Sequence, residues 1–438
     1  MTTIAILGAS GLIGQSVAEI LGAQGFEVAA LARRFAPSQR ASLGGAVIKE
    51  APLVDLDVAK LRDLLDRCRA DVVVNCVGVL QDAPDGAASA VHEDFVARVA
   101  AASPDRLVVH ISIPAPDAGQ TTFSRTKAAA ETALRAGDCA FAILRPGFVV
   151  APIAYGGGAL LRALAMFGLG LPRELGAAPF MITAVRDIAD TIATLARRFR
   201  AGERDMRFVW DVMSPEHLTV DDVGAAFRWR LGGPSPAMRM PAWLLTVGGL
   251  AGDAAGRLGW RPPTRSTAIA EIQRGVSGDP RGWMDASGLA PHDLAAAMRS
   301  VGASVQEKWF ARLYLWKGAA IAGLALFWIA TGAIALTVGF DEARALMAQA
   351  MELVGGSEAA ATTLTIGTSL LDIALGCAIA WRRWSRAGIV ASLAVTLAYV
   401  GAGTLLAPAL WGGALGPFLK DLPLLLATLA ALAISDDR

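Results

Sequence analysis

Over the first 150 residues, short apolar runs alternate with stretches whose apolar positions recur at helical spacing. TIAILG (3–8) is closed by a glycine and followed by the helical pattern LIGQSVAEILGAQG. The runs FEVAALARR, GGAVIKEAPLVDLDV, ADVVVNCVGVL, RLVVHISI and CAFAILRPGFVV repeat the alternation. Near-continuous apolar strands separated by helices predict an α/β architecture, a doubly wound parallel sheet covered on both faces. After Gly147 the alternation loosens. YGGGALLRALAMFGLGLP and FMITAVRDIADTIATLARRF predict a loop, a helix and a return to the sheet, and FVWDVMSPEHLTVDDVGAAFRWRLG a strand and a helix. That helix starts at a capping-box-like pair, Thr219 and Asp222.

The pattern changes again in the last third. Residues 318–340 form 23 positions without a charge, enough to cross a bilayer. Comparable runs occupy 361–381 and 387–411, and a shorter one, 422–434, is extended back to 416. Four spans in an all-α transmembrane domain are therefore expected. The stretch 240–260, MPAWLLTVGGLAGDAAGRLGW, is apolar but holds Asp253, Arg257 and several glycines, so it is read as a buried or membrane-surface helix. VQEKWFARLYLWK, just before the first span, is read as an interfacial helix. The expected organisation is 1–235, the α/β domain with lobe insertions; 236–306, the rest of the lobe and a linker; and 307–438, the transmembrane domain.

Composition supports this division. Hydrophobic residues make up 54% of the 438 and charged residues 18%, against about 25% charged in a typical soluble protein. The net charge of +1 gives no nucleic-acid signal. Cys68, Cys76, Cys139 and Cys377 form no CxxC pair, and His92, His110, His217 and His292 are scattered, so no metal site is expected. The N-terminus opens directly on a strand, without the pattern of a cleaved signal peptide. Arg382, Arg383 and Arg386 crowd one loop between spans. Lys308, Arg312 and Lys317 precede the first span, whereas Asp341, Glu342, Glu352 and Glu358 face only Arg344 in the 341–360 loop. The positive-inside rule then puts the N-terminal domain, the arginine loop and the C-terminus in the cytoplasm, on an inner membrane. Trp309, Trp316, Trp381, Trp384 and Trp411 fall at span ends, where indoles anchor.

Candidate chemistry gathers at strand ends. GASGLIG places Gly8, Gly11 and Gly14 between a strand and a helix, the context in which glycines admit a pyrophosphate to a helix N-terminus. Ser10, Leu12 and Ile13 complete that loop. The second strand ends not in an acid for a ribose hydroxyl but in Arg33 and Arg34, which suit a 2′-phosphate. NADP(H) is therefore preferred, with NAD(H) left open. Asp55, Leu56, Asn75, Gly78, Ser112, Arg145, Pro146 and Gly147 stand at the ends of later strand regions, where open parallel sheets bind ligands.

Together these motifs resemble the short-chain dehydrogenase/reductase superfamily, in its extended or atypical branch related to epimerases and dehydratases, over roughly residues 1–300. The resemblance implies a Rossmann fold with a small substrate lobe and carries roles to matching positions. Gly8, Gly11 and Gly14 match the phosphate loop, and Asp55 and Leu56 the adenine contact. Cys76, Val77 and Gly78 match the segment along the nicotinamide ribose, Pro146 and Gly147 the loop beside the nicotinamide, and Asp187 the acid of a V-x-D-x-A helix start. Ser112 and Lys127 match catalytic positions. In GQTTFSRTKAAAE, however, the tyrosine position is Phe123, which has no proton to give. Lys127 can still hold ribose hydroxyls. The accessory subunit of complex I, which binds a nucleotide without known turnover, is similar in this respect.

The last third resembles the DoxX-like family of four-helix membrane proteins, which is linked with quinone-dependent or membrane redox processes. Asp372 stands mid-span, where a carboxylate is costly and a functional candidate by default; an interhelical hydrogen bond with hydroxyls such as Thr363, Thr368 or Ser369 is the other reading. The two resemblances together imply a membrane-anchored NAD(P)H oxidoreductase passing hydride to a quinone or other lipid-soluble acceptor. The alternatives are a non-catalytic nucleotide-binding assembly or sensor subunit of a membrane redox complex, and a nucleoside-sugar epimerase or dehydratase.

Overall fold

The computed structural model describes residues 2–78, 90–118, 121–236, 238–412 and 417–435. The chain divides into two compact units: Met1–Ala254 with Arg261–Arg312, and Ala255–Trp260 with Leu313–Arg438.

In the first unit the apolar runs become seven parallel strands: β1 Thr3–Leu7, β2 Glu27–Ala32, β3 Val47–Glu50, β4 Val72–Asn75, β5 Leu107–Ile111, β6 Ala140–Pro146 and β7 Arg207–Val212. Their order across the sheet is β7-β6-β5-β4-β1-β2-β3, so the winding reverses between β1 and β4. The period-2 alternation of side chains builds two cores. Ile4, Ile6, Val72 and Val74 face helices α1 (Leu12–Ala23) and α7 (Val185–Arg200). Ala5, Leu7 and Val73 face α3 (Val58–Arg67), α4 (Phe95–Ala101) and α5 (Thr122–Arg135). Helix α2 is Pro37–Ser42. Each wholly buried Ile or Leu in these cores contributes about 1.5–3 kcal/mol. The third strand ends at Glu50, earlier than its apolar pattern suggests; Asp55 lies in the 3-10 turn Leu53–Asp55.

A smaller lobe packs Val150, Leu161, Phe180, Ile182, Val223 and Phe227 together. It includes α6 (Gly156–Met166) and α8 (Val220–Leu231). The expected capping box is present: Thr219 Oγ1 accepts the Asp222 N–H at 3.2 Å, and Asp222 accepts the Thr219 N–H at 2.9 Å. The 240–260 stretch forms α9 (Ala242–Arg257), followed by α10 (Ser266–Arg274).

The second unit is helical. Helix α11 runs unbroken over Val305–Leu336, and the second unit takes it up from Leu313. The interfacial segment is thus not a separate helix: no proline or strong turn signal lies between Val305 and Gly318, and the span continues it. Helix α12 is Phe340–Glu352, α13 Glu358–Ala380 and α14 Ser385–Leu406. The third run ends five residues short of its predicted limit because Pro408 starts a 3-10 turn. Helix α15, Pro417–Ala433, has 17 residues with Pro423 inside, and the proposed start at Gly416 lies outside the described residues. Three helices, α11, α13 and α14, are long and apolar enough to cross a membrane. Leu326, Leu370, Leu397 and Leu426 are exposed on this bundle, as lipid-facing residues would be. Helices approach through glycine: a Cβ on Gly332 of α11 would stand 2.3 Å from the Ser369 carbonyl oxygen of α13.

Candidate functional site

The winding reverses at the C-terminal ends of β1 and β4, and the glycine loop sits there. Gly8 has φ +80°, and a Cβ on it would lie 2.9 Å from the Val77 nitrogen. A Cβ on Gly14 would lie 2.4 Å from the Gly8 carbonyl oxygen. Only glycine lets the loop fold this tightly against β4 and α1. Gly11 donates its N–H to the Gly8 carbonyl at 2.9 Å and precedes α1, which has neither a side-chain cap nor an acid in its first turn. The helix end thus carries its partial positive charge with no acid of its own first turn against it. Ser10, Leu12 and Ile13 are half-buried around this cradle. Such a loop fits a dinucleotide pyrophosphate.

Gln39, which sequence reasoning missed, is buried beneath the loop. Its amide donates to the Ser10 carbonyl at 2.9 Å and to Gln15 Oε1 at 3.0 Å. Nothing in the local sequence marks it, because its partners come from the loop and from α1.

Arg33 and Arg34 are exposed just after β2. The Arg34 charge acts on Glu50 at the end of β3. Glu50 accepts the Phe35 N–H at 2.8 Å and pairs with Arg40 at 2.7 Å. The Phe35 bond, with Arg40, holds its carboxyl below the usual range. Asp55 is exposed and Leu56 half-buried in the turn after β3.

At the end of β4, Asn75 is fully buried and accepts the Val77 N–H at 3.0 Å, which shapes the Cys76–Val77–Gly78 turn. Lys127 reaches that turn from α5, one helical turn after Phe123. Its side chain is 6% exposed, and Nζ donates to the Ile111 carbonyl at 2.9 Å. Burial pushes its ammonium down to about 8, against the pull of Cys76 and Glu131. Nζ lies 3.5 Å from the point where a Cβ on Gly78 would stand, and so does His92 Nε2.

His92 is the second residue the sequence did not reveal. Its ring meets Phe123 edge-on at 5.6 Å, and its Nδ1 is 2.8 Å from Thr126 Oγ1. The Thr126 hydroxyl donates to the Phe123 carbonyl at 3.0 Å, so it accepts from His92 Nδ1–H and leaves the lone pair on Nε2. Burial and then the Lys127 charge hold the imidazole neutral, its pKa down at about 3.

Ser112 lies in a different network. Its hydroxyl donates to Glu131 Oε1 at 2.6 Å, and Glu131 is also held by Arg145 at 2.8 and 2.5 Å and by Arg135 at 3.0 Å. The serine proton is committed to a buried carboxylate. Pro146 is buried, and Gly147, just after β6, lies so close to Met181 that a Cβ would meet its carbonyl oxygen at 2.3 Å. Another acid, Glu271 of α10, clamps the start of α5: it accepts from the Thr121 hydroxyl and, at 2.5 Å, from the Ser124 hydroxyl beside Phe123. Asp187 pairs with His292 Nδ1 at 2.5 Å and accepts the His292 N–H at 3.2 Å, a staple between α7 and the segment that holds His292. The lobe holds a cavity of about 690 Å³ lined by Leu161, Asp221, Arg228, Met238 and Arg239 among others.

In the helical unit Asp372 is buried and accepts the Tyr399 hydroxyl of α14 at 3.0 Å. The hydroxyls of Thr363, Thr368 and Ser369 instead donate to carbonyls one turn back, at 2.9, 2.8 and 2.7 Å. They belong to the same helix as Asp372, and the cross-helix partner is a phenol.

A model of NAD(P)H-binding domains matches residues 8–168, and a model of the DoxX-like family matches residues 325–429. The fold is similar to UDP-glucose 4-epimerase from the hyperthermophile Thermotoga maritima, with a TM-score of 0.52 and 13% identity over 68% of this chain and 98% of that one. It is similar to UDP-glucuronic acid 4-epimerase from Bacillus cereus, solved with UDP-glucuronic acid and NAD: TM-score 0.51, 13% identity, 72% of this chain and 100% of that one. The enzyme WbmG of Bordetella bronchiseptica, in complex with NAD and UDP, gives 0.50 and 18%, covering 68% and 91%. A search of curated proteins gives no match. At these identities the structural likeness is one of fold. The chain carries an NAD(P)-binding, epimerase-like Rossmann domain followed by a DoxX-like domain.

Proposed function

We propose that the chain is a membrane-anchored NAD(P)H-dependent oxidoreductase in which Lys127, not a tyrosine, handles the proton, and that its acceptor is a quinone or another lipid-soluble molecule. The observation that carries this reading is the buried Lys127 ammonium at the Gly78 turn, with its pKa pushed down to about 8. A general acid works best with a pKa near the operating pH. When bound, the nicotinamide supplies the hydride. The glycine loop and the α1 N-terminus hold the pyrophosphate, Arg33 and Arg34 take the 2′-phosphate, and Cys76, Val77, Gly78, Pro146 and Gly147 border the nicotinamide end. Lys127 holds the ribose or protonates the reduced acceptor, one of its three N–H groups being kept by the Ile111 carbonyl. Ser112 serves by positioning Glu131 and Arg145.

Four spans, with the Rossmann domain and the arginine loop on the cytoplasmic side of an inner membrane, complete the reading; the charges of Arg382, Arg383 and Arg386 support it. The committed Ser112 proton and the phenylalanine at position 123 favour a second reading, a nucleotide-holding assembly or sensor subunit without turnover. For a sugar epimerase or dehydratase, this chain lacks the tyrosine that the chemistry would use, having Phe123 instead.

The test mixes purified full-length protein with NADPH or NADH and then a quinone analogue, following nicotinamide absorbance. Oxidation on adding the analogue supports the oxidoreductase. Tight binding without oxidation, by any acceptor tried, supports the second reading.

A further inference from the structure

Helix α9 has an inverted construction. Its small residues face the protein: a Cβ on Gly252 would stand 2.7 Å from the Thr264 carbonyl oxygen, and one on Gly249 3.3 Å from Ile269 Cδ1. Asp253 ties this face down through Arg265 at 3.0 Å and Ser266 at 2.6 Å. The large apolar residues point outward: Trp243 is 64% exposed, Val247 51% and Leu250 65%. They recur at i, i+4 and i+7, one face of the helix. Met238, just before the helix, and Leu244 extend the apolar surface.

The chain leaving α9 indicates what covers this face. Residues 255–260 belong to the helical unit. The Trp260 indole donates to the Ala380 carbonyl at 2.7 Å, and the Arg382 N–H donates to the Leu258 carbonyl at 3.1 Å. The Arg382 guanidinium lies over the Trp260 ring at 5.5 Å. Ala380 is the last residue of α13, one of the three helices apolar enough to span. The end of a span stands at the boundary between hydrocarbon and headgroups, where Trp and Arg are favoured. The helix runs without a break into the segment fixed at that boundary.

We propose that α9 is a monotopic membrane contact, with the Trp243–Val247–Leu250 face immersed in the bilayer interface. Its occupant is lipid, at the depth of about 5–10 Å usual for interfacial helices. The proposal rests on reading α13 as a span.

The test places an environment-sensitive fluorophore on single cysteines of the full chain in phosphatidylcholine–phosphatidylglycerol vesicles: Leu250→Cys, Val247→Cys, Leu370→Cys on the span and Asp138→Cys on the Rossmann surface. Doxyl-labelled lipids are expected to quench positions 250, 247 and 370 several-fold more than 138. Quenching at 370 with none at 250 and 247 overturns the α9 proposal and leaves the span standing. Quenching at none of them removes both. Shielding of 250 from aqueous iodide without lipid quenching shows a protein occupant and also overturns it. Val247→Cys carries the test alone should the Leu250 variant fail to elute as a folded protein.

Discussion

At Lys127 the chain carries a cost that an inert surface lysine would not. Its folded pKa of about 8 lies below its ordinary 10.5, so the folded state disfavours the ammonium by about 3 kcal/mol, at about 1.4 kcal/mol per unit. The sign follows from proton counts. Between about pH 8 and 10.5 the unfolded chain holds more protons than the folded one, so the penalty is full below pH 8 and disappears as pH rises through that window. Lys127→Met removes it and loses one hydrogen bond worth about 1 kcal/mol. The expected outcome at pH 7 is a nucleotide-free protein that melts at a higher temperature, with weakened nucleotide binding. Calorimetry with and without NADPH checks both, and a lower melting temperature would show that the ammonium is stabilised where it sits. Phe123→Tyr is expected to leave NADPH affinity within about twofold, since the ring packs on His92 and makes no charge-assisted contact. Arg33→Asp is expected to lower NADPH affinity about tenfold or more and leave NADH little changed, measured by fluorescence titration; equal affinities in the parent protein would remove the 2′-phosphate assignment.

At the scale of elements, the pair of α13 and α14 is joined by the Tyr399–Asp372 hydrogen bond. Tyr399→Phe leaves the buried carboxylate without that donor, and a loss of about 1–2 kcal/mol is expected, read as a lower unfolding temperature in detergent. Asp372→Asn keeps an acceptor and is expected to fold normally. Loss of quinone-linked NADPH oxidation in that variant would assign the carboxylate to chemistry, and full activity would leave it as interhelical glue. Asp372 was legible because a charge in an apolar run stands out alone, whereas Tyr399 was not, being a residue any span tolerates. The strands and glycine loop were legible for a similar reason: period and turn chemistry are local. His92, Gln39 and Glu271 were not. Glu271 meets Ser124 across 147 positions, and His92 acquires its place only when α5 packs beside it. The continuity of α11 was missed because polar residues before Lys317 suggested a boundary that hydrogen bonding along the helix does not respect.

The whole molecule joins a nucleotide-binding fold to a helical bundle whose exposed leucines suit lipid. The asymmetry of basic and acidic loops predicts the sidedness. A maleimide that does not cross membranes should label Val354→Cys from outside the cell and Arg383→Cys only after the cytoplasmic face is opened; the reverse pattern would place the Rossmann domain outside. The proposed oxidoreductase chemistry turns on the proton at Lys127. The measurement that tests it most directly is the pH dependence of quinone-analogue reduction by NADPH, with full-length protein and Lys127→Met compared in nanodiscs. The rate is expected to fall as pH rises through about 8, together with loss of most activity in Lys127→Met even at saturating NADPH. Undiminished turnover in Lys127→Met at saturating NADPH, with the same pH profile, would contradict it.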